Sequence, residues 1–129
     1  MAGKENELVV ITKTKNLCSY IMTITEKSPK KFRFTFVSRL QNLSLEIIED
    51  LFRANDIFIA KNEPVSFSRR LEFQQKALTE IKLLSYFAML ASETGCILPK
   101  QYEQIAKQTA ECQKLVAGWI NSDKKRFMP

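Results

Sequence analysis

The segment SPKKFRFTFVSRLQNLSLEIIEDLFRAND, residues Ser28 to Asp56, is the part of the chain that decides its fold. It opens with a basic and aromatic stretch made of Lys30, Lys31, Phe32, Arg33, Phe34 and Phe36. Apolar residues then recur at steps of four, three, four and four, at Phe36, Leu40, Leu43, Ile47 and Leu51. This spacing describes one face of an α-helix, so we predict a helix from about Thr35 to Asp56 that could begin as early as Lys30.

A helix is expected on each side of this one. The first runs from about Leu8 to Lys27 and stops at Ser28-Pro29, because the residue before a proline avoids the α-helical region. Its β-branched start, residues 8–11, also allows an extended N-terminus. The third helix starts near Ser66 or Ser68, either of which suits an N-cap, and runs to Thr94.

The predicted fourth helix begins at Pro99, a residue favoured at the first helical position. Just before it, Gly95 stands where a left-handed C-cap is expected to end the third helix. The fourth helix has a heptad-like apolar seam, formed by Tyr102, Ile105, Thr109, Cys112, Val116 and Trp119. Such a seam is typical of helices that pack at shallow crossing angles in a bundle.

The composition favours an all-α domain. A chain of 129 residues can bury its own core, and 3 Gly and 4 Pro are too few for the many turns of a β-sandwich or barrel. Since the predicted connections are short, neighbouring helices should run antiparallel. We therefore expect residues 1–129 to form a single antiparallel four-helix bundle, with frayed ends at about 1–7 and 123–129.

The second and third helices carry more apolar surface than a small monomer needs. The apolar positions of the second helix sweep roughly 200°, whereas a surface helix needs a stripe only a little over about 100° wide. The run 83–91 of the third helix is apolar in nearly every direction. We expect the surplus to face another subunit, through an interface that includes Leu45, Ile48, Phe52 and Phe87. The alternative is a monomer with scattered exposed Leu and Phe, which is common.

The charge is a net +6, with a pI near 9.3, which favours contact with phosphates or acidic surfaces and also serves solubility. The cations form two groups: Lys27, Lys30, Lys31, Arg33 and Arg39, then Arg69, Arg70 and Lys76. Antiparallel packing puts the two groups at opposite ends of the bundle, where a ring of subunits would repeat them as two belts. Basic residues beside aromatic ones suit phosphate contact and base stacking. Phe36 is expected in the core, and Phe32 and Phe34 suit either role.

No catalytic, metal or cofactor site is expected. The chain has no His, and its three cysteines, Cys18, Cys96 and Cys112, form no CxxC pair, which excludes the usual zinc and Cys–His chemistry. Glu46, Glu49 and Asp50 are interpreted as a solvated charged face. Unpaired cysteines fit a reducing cytoplasm, and no signal peptide or membrane-spanning run is present in the sequence.

With the helices placed, the chain resembles a bacterial four-helix bundle superfamily. The superfamily includes the accessory variability determinant (Avd) proteins of diversity-generating retroelements and the proteins encoded in ribosomal RNA intervening sequences. The resemblance covers about residues 8 to 122. It is carried by the 28–56 segment, the Ala77, Leu78 and Glu80 start of the third helix, the glycine turn, and Tyr102 early in the fourth helix.

The resemblance implies an up-down-up-down bundle that assembles into a pentameric ring and binds RNA or DNA. In the retroelement branch it also implies a reverse transcriptase partner that copies a template RNA with errors at adenines. From charge and placement, we expect contact with nucleic acid or partner at Lys30, Lys31, Arg33, Arg39, Arg53, Arg69, Arg70 and Lys76.

Three hypotheses follow. The first is a non-enzymatic, ring-forming accessory subunit of a retroelement reverse transcriptase. The second is a stand-alone intervening-sequence-type protein. The third is a scaffold that binds a partner helix through the apolar arc of the second helix.

Overall fold

The computed structural model describes the backbone of residues 2–60 and 63–128 and the side chains of residues 9–60 and 63–128. It contains four long helices: α1 (Ala2–Thr25), α2 (Ser38–Asp56), α3 (Pro64–Glu93) and α4 (Pro99–Phe127). A 3₁₀ turn (Lys30–Phe32) and a π-helical turn (Arg33–Val37) lead into α2. Since the described ranges hold helices and no strand, the chain is an all-helical four-helix bundle.

The core lies along the axis of the bundle. α1 packs on α2 and α4, and α3 packs on the same two helices. Each helix contributes fully buried side chains, namely Leu17, Ile21, Leu40, Ile47, Leu51, Ile81, Leu84, Ile105, Val116 and Trp119. The apolar face predicted for α2 and the seam predicted for α4 supply the greater part of this set, because their spacing repeats about once per helical turn.

Contacts between helices fix which parts of the chain meet. At one end of the bundle, the Ser28 hydroxyl donates a 2.7 Å hydrogen bond to the Cys96 carbonyl. Midway along, the Thr14 hydroxyl lies 3.7 Å from the Cys112 thiol. Arg39, near the start of α2, lies over Phe87, near the end of α3. These contacts bring the basic segment after α1 to the same end as the α3–α4 turn.

The turn between α3 and α4 has the predicted chemistry. Gly95 has a φ of +89°, and the Cys96 amide donates a 2.8 Å bond to the carbonyl of Ala91. The Gly95 amide donates to the carbonyl of Ser92, which completes the Schellman pattern. α4 then begins at Pro99, as predicted.

Two helices begin earlier than their sequences suggest. α1 is helical from Ala2, so the extended alternative for residues 8–11 is wrong; Val10 is fully buried in the bundle and gains that burial only as part of the helix. α3 begins at Pro64 rather than at Ser66 or Ser68, because proline has the right φ for a first helical residue and needs no amide partner there.

The C-terminal segment also differs from the expectation of a frayed tail at 123–129. α4 continues through Phe127. The physical reason is Asp123, which is only 1% exposed and lies four residues beyond Trp119, so it extends the buried seam by one more turn. Its carboxylate is held by side chains from α3, and this anchors the last turns of the helix. Pro129 lies outside the described residues.

Candidate nucleic-acid interface

The basic-aromatic segment, residues 30–39, is shaped by two partly buried aromatic anchors. Phe32 and Phe36 pack edge to face, with ring centroids 6.1 Å apart, and both lie against the core. The backbone between them forms a π-helical turn, closed by a bond from the Ser38 amide to the Arg33 carbonyl five residues earlier. Phe34 lies between the two anchors and is 87% exposed. The structure therefore assigns Phe32 and Phe36 to packing and leaves Phe34 at the surface.

Exposed cations precede this ring in the chain. Lys30, Lys31 and Arg33 are all exposed, and the ammonium group of Lys31 lies 5.1 Å from the centroid of Phe32. The run from Ser28 to Arg39 contains no acidic residue, so nothing within it neutralises these charges. An exposed aromatic ring among cations can stack on a base while the cations hold the phosphates.

A cleft of about 630 Å³ opens beside Phe34, between the basic-aromatic segment and the last turns of α3. Its apolar walls include Phe36, Phe87 and Leu90. The guanidinium carbon of Arg39 lies 5.7 Å from the centroid of the Phe87 ring, in a cation–π contact. Arg39 is exposed and lines this cleft, so its side chain is open to solvent beside it.

The predicted subunit interface divides into two places. Leu45 and Phe52 are exposed and Ile48 is partly buried, and their steps of three and four place them on one outward stripe of α2. Phe87 does not belong to that stripe, because it lines the cleft beneath Arg39. The subunit interface at these four residues stays a prediction.

The remaining predicted contact residues lie toward the other end of the bundle. Arg69 is exposed there. Arg53 makes a 2.6 Å ion pair with Glu49, and the Lys76 ammonium lies 3.6 Å from Asp50. The charges of Arg53 and Lys76 are therefore partly neutralised by their carboxylate neighbours.

Arg70 is not a surface contact residue. It is 8% exposed, and one guanidinium nitrogen donates to both carboxylate oxygens of Asp123 at 3.1 and 3.2 Å. A second nitrogen donates to the Ile57 carbonyl at 2.8 Å, and the group lies 5.8 Å from the Trp119 ring. The side chain faces inward because it lies on the side of α3 that packs against α4. Arg70 therefore links the two helices and is not available at the surface for contact with a partner.

Asp50 also departs from its prediction. Glu46 and Glu49 are exposed, as a solvated face requires, but Asp50 is buried against Glu80 of α3. Burial first, then the hydrogen bond and the charge of Asp50, raise the pKa of the Glu80 carboxyl to about 8. The Glu80 carboxyl therefore keeps its proton at neutral pH, and Lys76 lies close enough to balance the charge of Asp50. Within the described residues, no three His, Cys, Asp or Glu side chains cluster as a metal site.

A second basic surface was missed by the sequence reasoning. Lys82, Lys107 and Lys114 border a depression of about 720 Å³ between α3 and α4. The signal was present in the sequence, because Lys100, Lys107 and Lys114 are spaced seven residues apart and so share one face of α4. None of the described helices has the length and apolar character that a membrane crossing needs.

The comparisons with known proteins support the fold. The chain is similar to the crystal structure of a protein of unknown function from the S23 ribosomal protein family of Bacteroides thetaiotaomicron VPI-5482. The TM-score is 0.72 at 20% identity, over 90% of this chain and 98% of that one. No protein-family profile and no curated protein matches the chain. At this identity the similarity establishes a shared helical fold and carries no activity with it.

Proposed function

We propose that this chain is a non-enzymatic RNA-binding protein that holds single-stranded segments on the basic-aromatic segment and works as an oligomer in the cytoplasm. The observation that carries the proposal is Phe34, an aromatic ring 87% exposed, which lies in the chain between two rings packed on the core and next to exposed cations. Leaving a phenylalanine ring in water is unfavourable, by about 2 kcal/mol relative to burying it. A partner that covers the ring recovers this free energy.

Single-stranded RNA suits this surface better than a duplex does. Unpaired bases offer flat faces to aromatic side chains, and each stack is worth about 1–3 kcal/mol. The bases of an RNA duplex are already stacked, and its deep, narrow major groove is closed to side chains. We expect Lys30, Lys31 and Arg33, which are exposed and close to Phe34 in the chain, to hold the phosphates beside a base stacked on Phe34.

The oligomer we propose is the pentameric ring that the resemblance implies. An antiparallel up-down-up-down order is supported by the contacts of Ser28 with Cys96 and of Thr14 with Cys112. The outward stripe of Leu45, Ile48 and Phe52 supplies the apolar surface that subunits would bury. A ring would repeat the basic-aromatic segment around one rim, and several weak contacts to one RNA would then add through avidity.

The partner we propose first is the reverse transcriptase of a diversity-generating retroelement, on the strength of the resemblance to the Avd proteins. The second candidate is a stand-alone protein of the ribosomal RNA intervening-sequence type. A reverse transcriptase gene and a template repeat beside the coding sequence would support the first, and an intervening sequence within a ribosomal RNA gene would support the second.

The salt dependence of RNA binding tests the proposed site. We compare the wild type with Lys30→Gln/Lys31→Gln/Arg33→Gln and with the control Lys100→Gln/Lys107→Gln/Lys114→Gln, which removes the same charge from α4. The slope of log K against log salt should weaken by about 2 in the first variant, since each phosphate contact on a single strand contributes about 0.7. The control should change less. Equal losses in both variants would show that binding is not local, and a wild type that binds no RNA at low salt would refute the function.

A further inference from the structure

We propose that the cleft beside Phe34 selects guanine, with the Glu46 carboxylate accepting hydrogen bonds from the edge of the base. This inference rests on the proposed function and adds a base preference to it. The starting observation is an acidic side chain that lines the same cleft as Phe34 and Arg39.

Glu46 is poorly explained as a structural residue. Its side chain is exposed at the cleft, and among the described residues no hydrogen bond or ion pair engages its carboxylate. Its neighbour one turn onward, Asp50, is buried with Glu80, and Glu49 is paired with Arg53. A carboxylate next to a cluster of cations repels phosphate, so a role in holding the RNA backbone is excluded. What it can accept is a pair of N–H donors.

Three polar residues of the cleft lie in one line. Arg39, Asn42 and Glu46 follow each other at steps of three and four, so they form one line along α2 that faces the cleft. The Asn42 amide donates to the Ser38 hydroxyl at 3.2 Å, which steadies the middle of this line. Phe34 closes one side of the cleft as a stacking surface, and the exposed Arg39 can meet the phosphate of the same nucleotide.

Guanine is the base whose edge matches a carboxylate. Its Watson–Crick edge presents two adjacent donors, N1–H and the 2-amino group, which one carboxylate can accept together. Adenine and cytosine each place a ring acceptor beside their amino group, and uracil flanks its single donor with two carbonyls. Each of those arrangements sets an oxygen or a lone pair against the carboxylate, so Glu46 selects against three bases while it binds the fourth.

The test measures binding of a short oligouridine RNA in which one central nucleotide is replaced by guanosine, adenosine, cytidine or inosine. The wild type should bind the guanosine RNA at least about fivefold more tightly than the adenosine, cytidine and unsubstituted RNAs, the lower end of what one bidentate contact provides. Inosine lacks the 2-amino group and should fall between guanosine and the others. Glu46→Gln should remove the preference, and the control Glu103→Gln, an exposed carboxylate on α4, should keep it.

Other outcomes separate the inference from the proposed function. Equal, salt-sensitive binding of all the RNAs by the wild type would overturn the guanine preference and leave RNA binding in place. Tighter binding of every RNA by Glu46→Gln would also overturn it, because the carboxylate would then act only as a general repulsion. No binding of any RNA would overturn both.

Discussion

Arg70 and Asp123 form a buried ion pair that ties α3 to the end of α4, with guanidinium-to-carboxylate distances of 3.1 and 3.2 Å. The Gln74 amide donates to the same carboxylate at 3.0 Å, and Arg70 also donates to the Ile57 carbonyl in the connection after α2. The network therefore gathers three parts of the chain at the end of the bundle opposite the basic-aromatic segment. Its role is structural, so we expect substitution of Arg70 to affect stability and substitution of its exposed neighbour Arg69 to leave stability nearly unchanged.

Arg70→Ala should destabilise the fold by about 3–5 kcal/mol, because it leaves the Asp123 carboxylate buried without its cation. Arg69→Ala, the neighbouring exposed arginine, should change stability by less than about 0.5 kcal/mol. The free energy of unfolding in urea, measured for both variants, checks this contrast. Similar, small effects would contradict the assignment of Arg70 to the core.

The Asp50–Glu80 pair should make stability depend on pH. The folded chain keeps the Glu80 proton up to about pH 8, whereas a free glutamic acid loses it near pH 4.3. Between these values the folded state binds more protons than the unfolded state, so stability should fall as pH rises from about 5 to 8 and then level off. Glu80→Gln removes the titrating carboxyl, so it should abolish this pH-dependent loss of unfolding free energy. We expect the loss to be on the order of 2 kcal/mol, because the exposed Lys76 keeps the site partly solvated and so weakens the interaction.

Urea unfolding gives the free energy of unfolding at pH 5 and at pH 8. The change between the two pH values should be larger in the wild type than in Glu80→Gln, and the difference is the contribution of Glu80. Glu103→Gln on the surface of α4 serves as the control and should leave the pH dependence unchanged. A wild type that becomes more stable as pH rises, relative to Glu80→Gln, would contradict the sign.

Gly95→Ala should cost about 1–2 kcal/mol, the usual penalty for a side chain in the left-handed region. No atom lies within 4 Å of the position a Cβ would take, so the cost comes from the backbone alone. Gly95→Asn should cost less, since asparagine tolerates this conformation better. The thermal unfolding midpoints of the wild type, Gly95→Asn and Gly95→Ala should decrease in that order. A Gly95→Ala variant as stable as the wild type would show that the backbone at residue 95 can leave the left-handed region without cost.

The stripe on α2 should control assembly. Leu45→Glu/Phe52→Glu should shift the mass measured by light scattering from that of the proposed oligomer to the 14.9 kDa monomer, since burying two carboxylates in an interface is unfavourable. Leu98→Glu, an exposed apolar residue before α4, should leave the assembly intact. A wild type that is already monomeric would refute the interface.

The parts of the fold fixed by local chemistry could be predicted from the sequence. Gly95 and Pro99 identify the α3–α4 turn because each residue type suits one backbone geometry. The burial of Asp50 and Asp123 could not be predicted from the sequence. A polar residue is expected to face solvent unless its buried partner is known, and that partner lies on another helix. Asp123 nevertheless stands at the next step of the α4 seam, which is the signal that a longer periodicity count would have caught.

The candidate site was predicted only in part, for a geometric reason. The cations of the 28–56 segment were identified from charge, but Phe32, Phe34 and Phe36 alternate along the chain in a way that fits several backbones. An extended strand would place all three rings on one side, whereas a helical turn places Phe32 and Phe36 together and Phe34 opposite them. The structure is helical here, with a 3₁₀ turn followed by a π-helical turn. Because the three-residue pattern alone does not separate these backbones, the sequence could not decide which ring faces water.

The most direct measurement of the central claim is the affinity of Phe34→Ala for a short single-stranded RNA, compared with that of Phe58→Ala. Phe58 is 83% exposed but lies just after α2, at the other end of the bundle, so it matches Phe34 in chemistry and exposure. Phe34→Ala should weaken binding roughly tenfold through the lost stack, with unchanged unfolding free energy. Phe58→Ala should bind like the wild type. Equal affinities in the two variants would contradict the claim that Phe34 is the stacking surface.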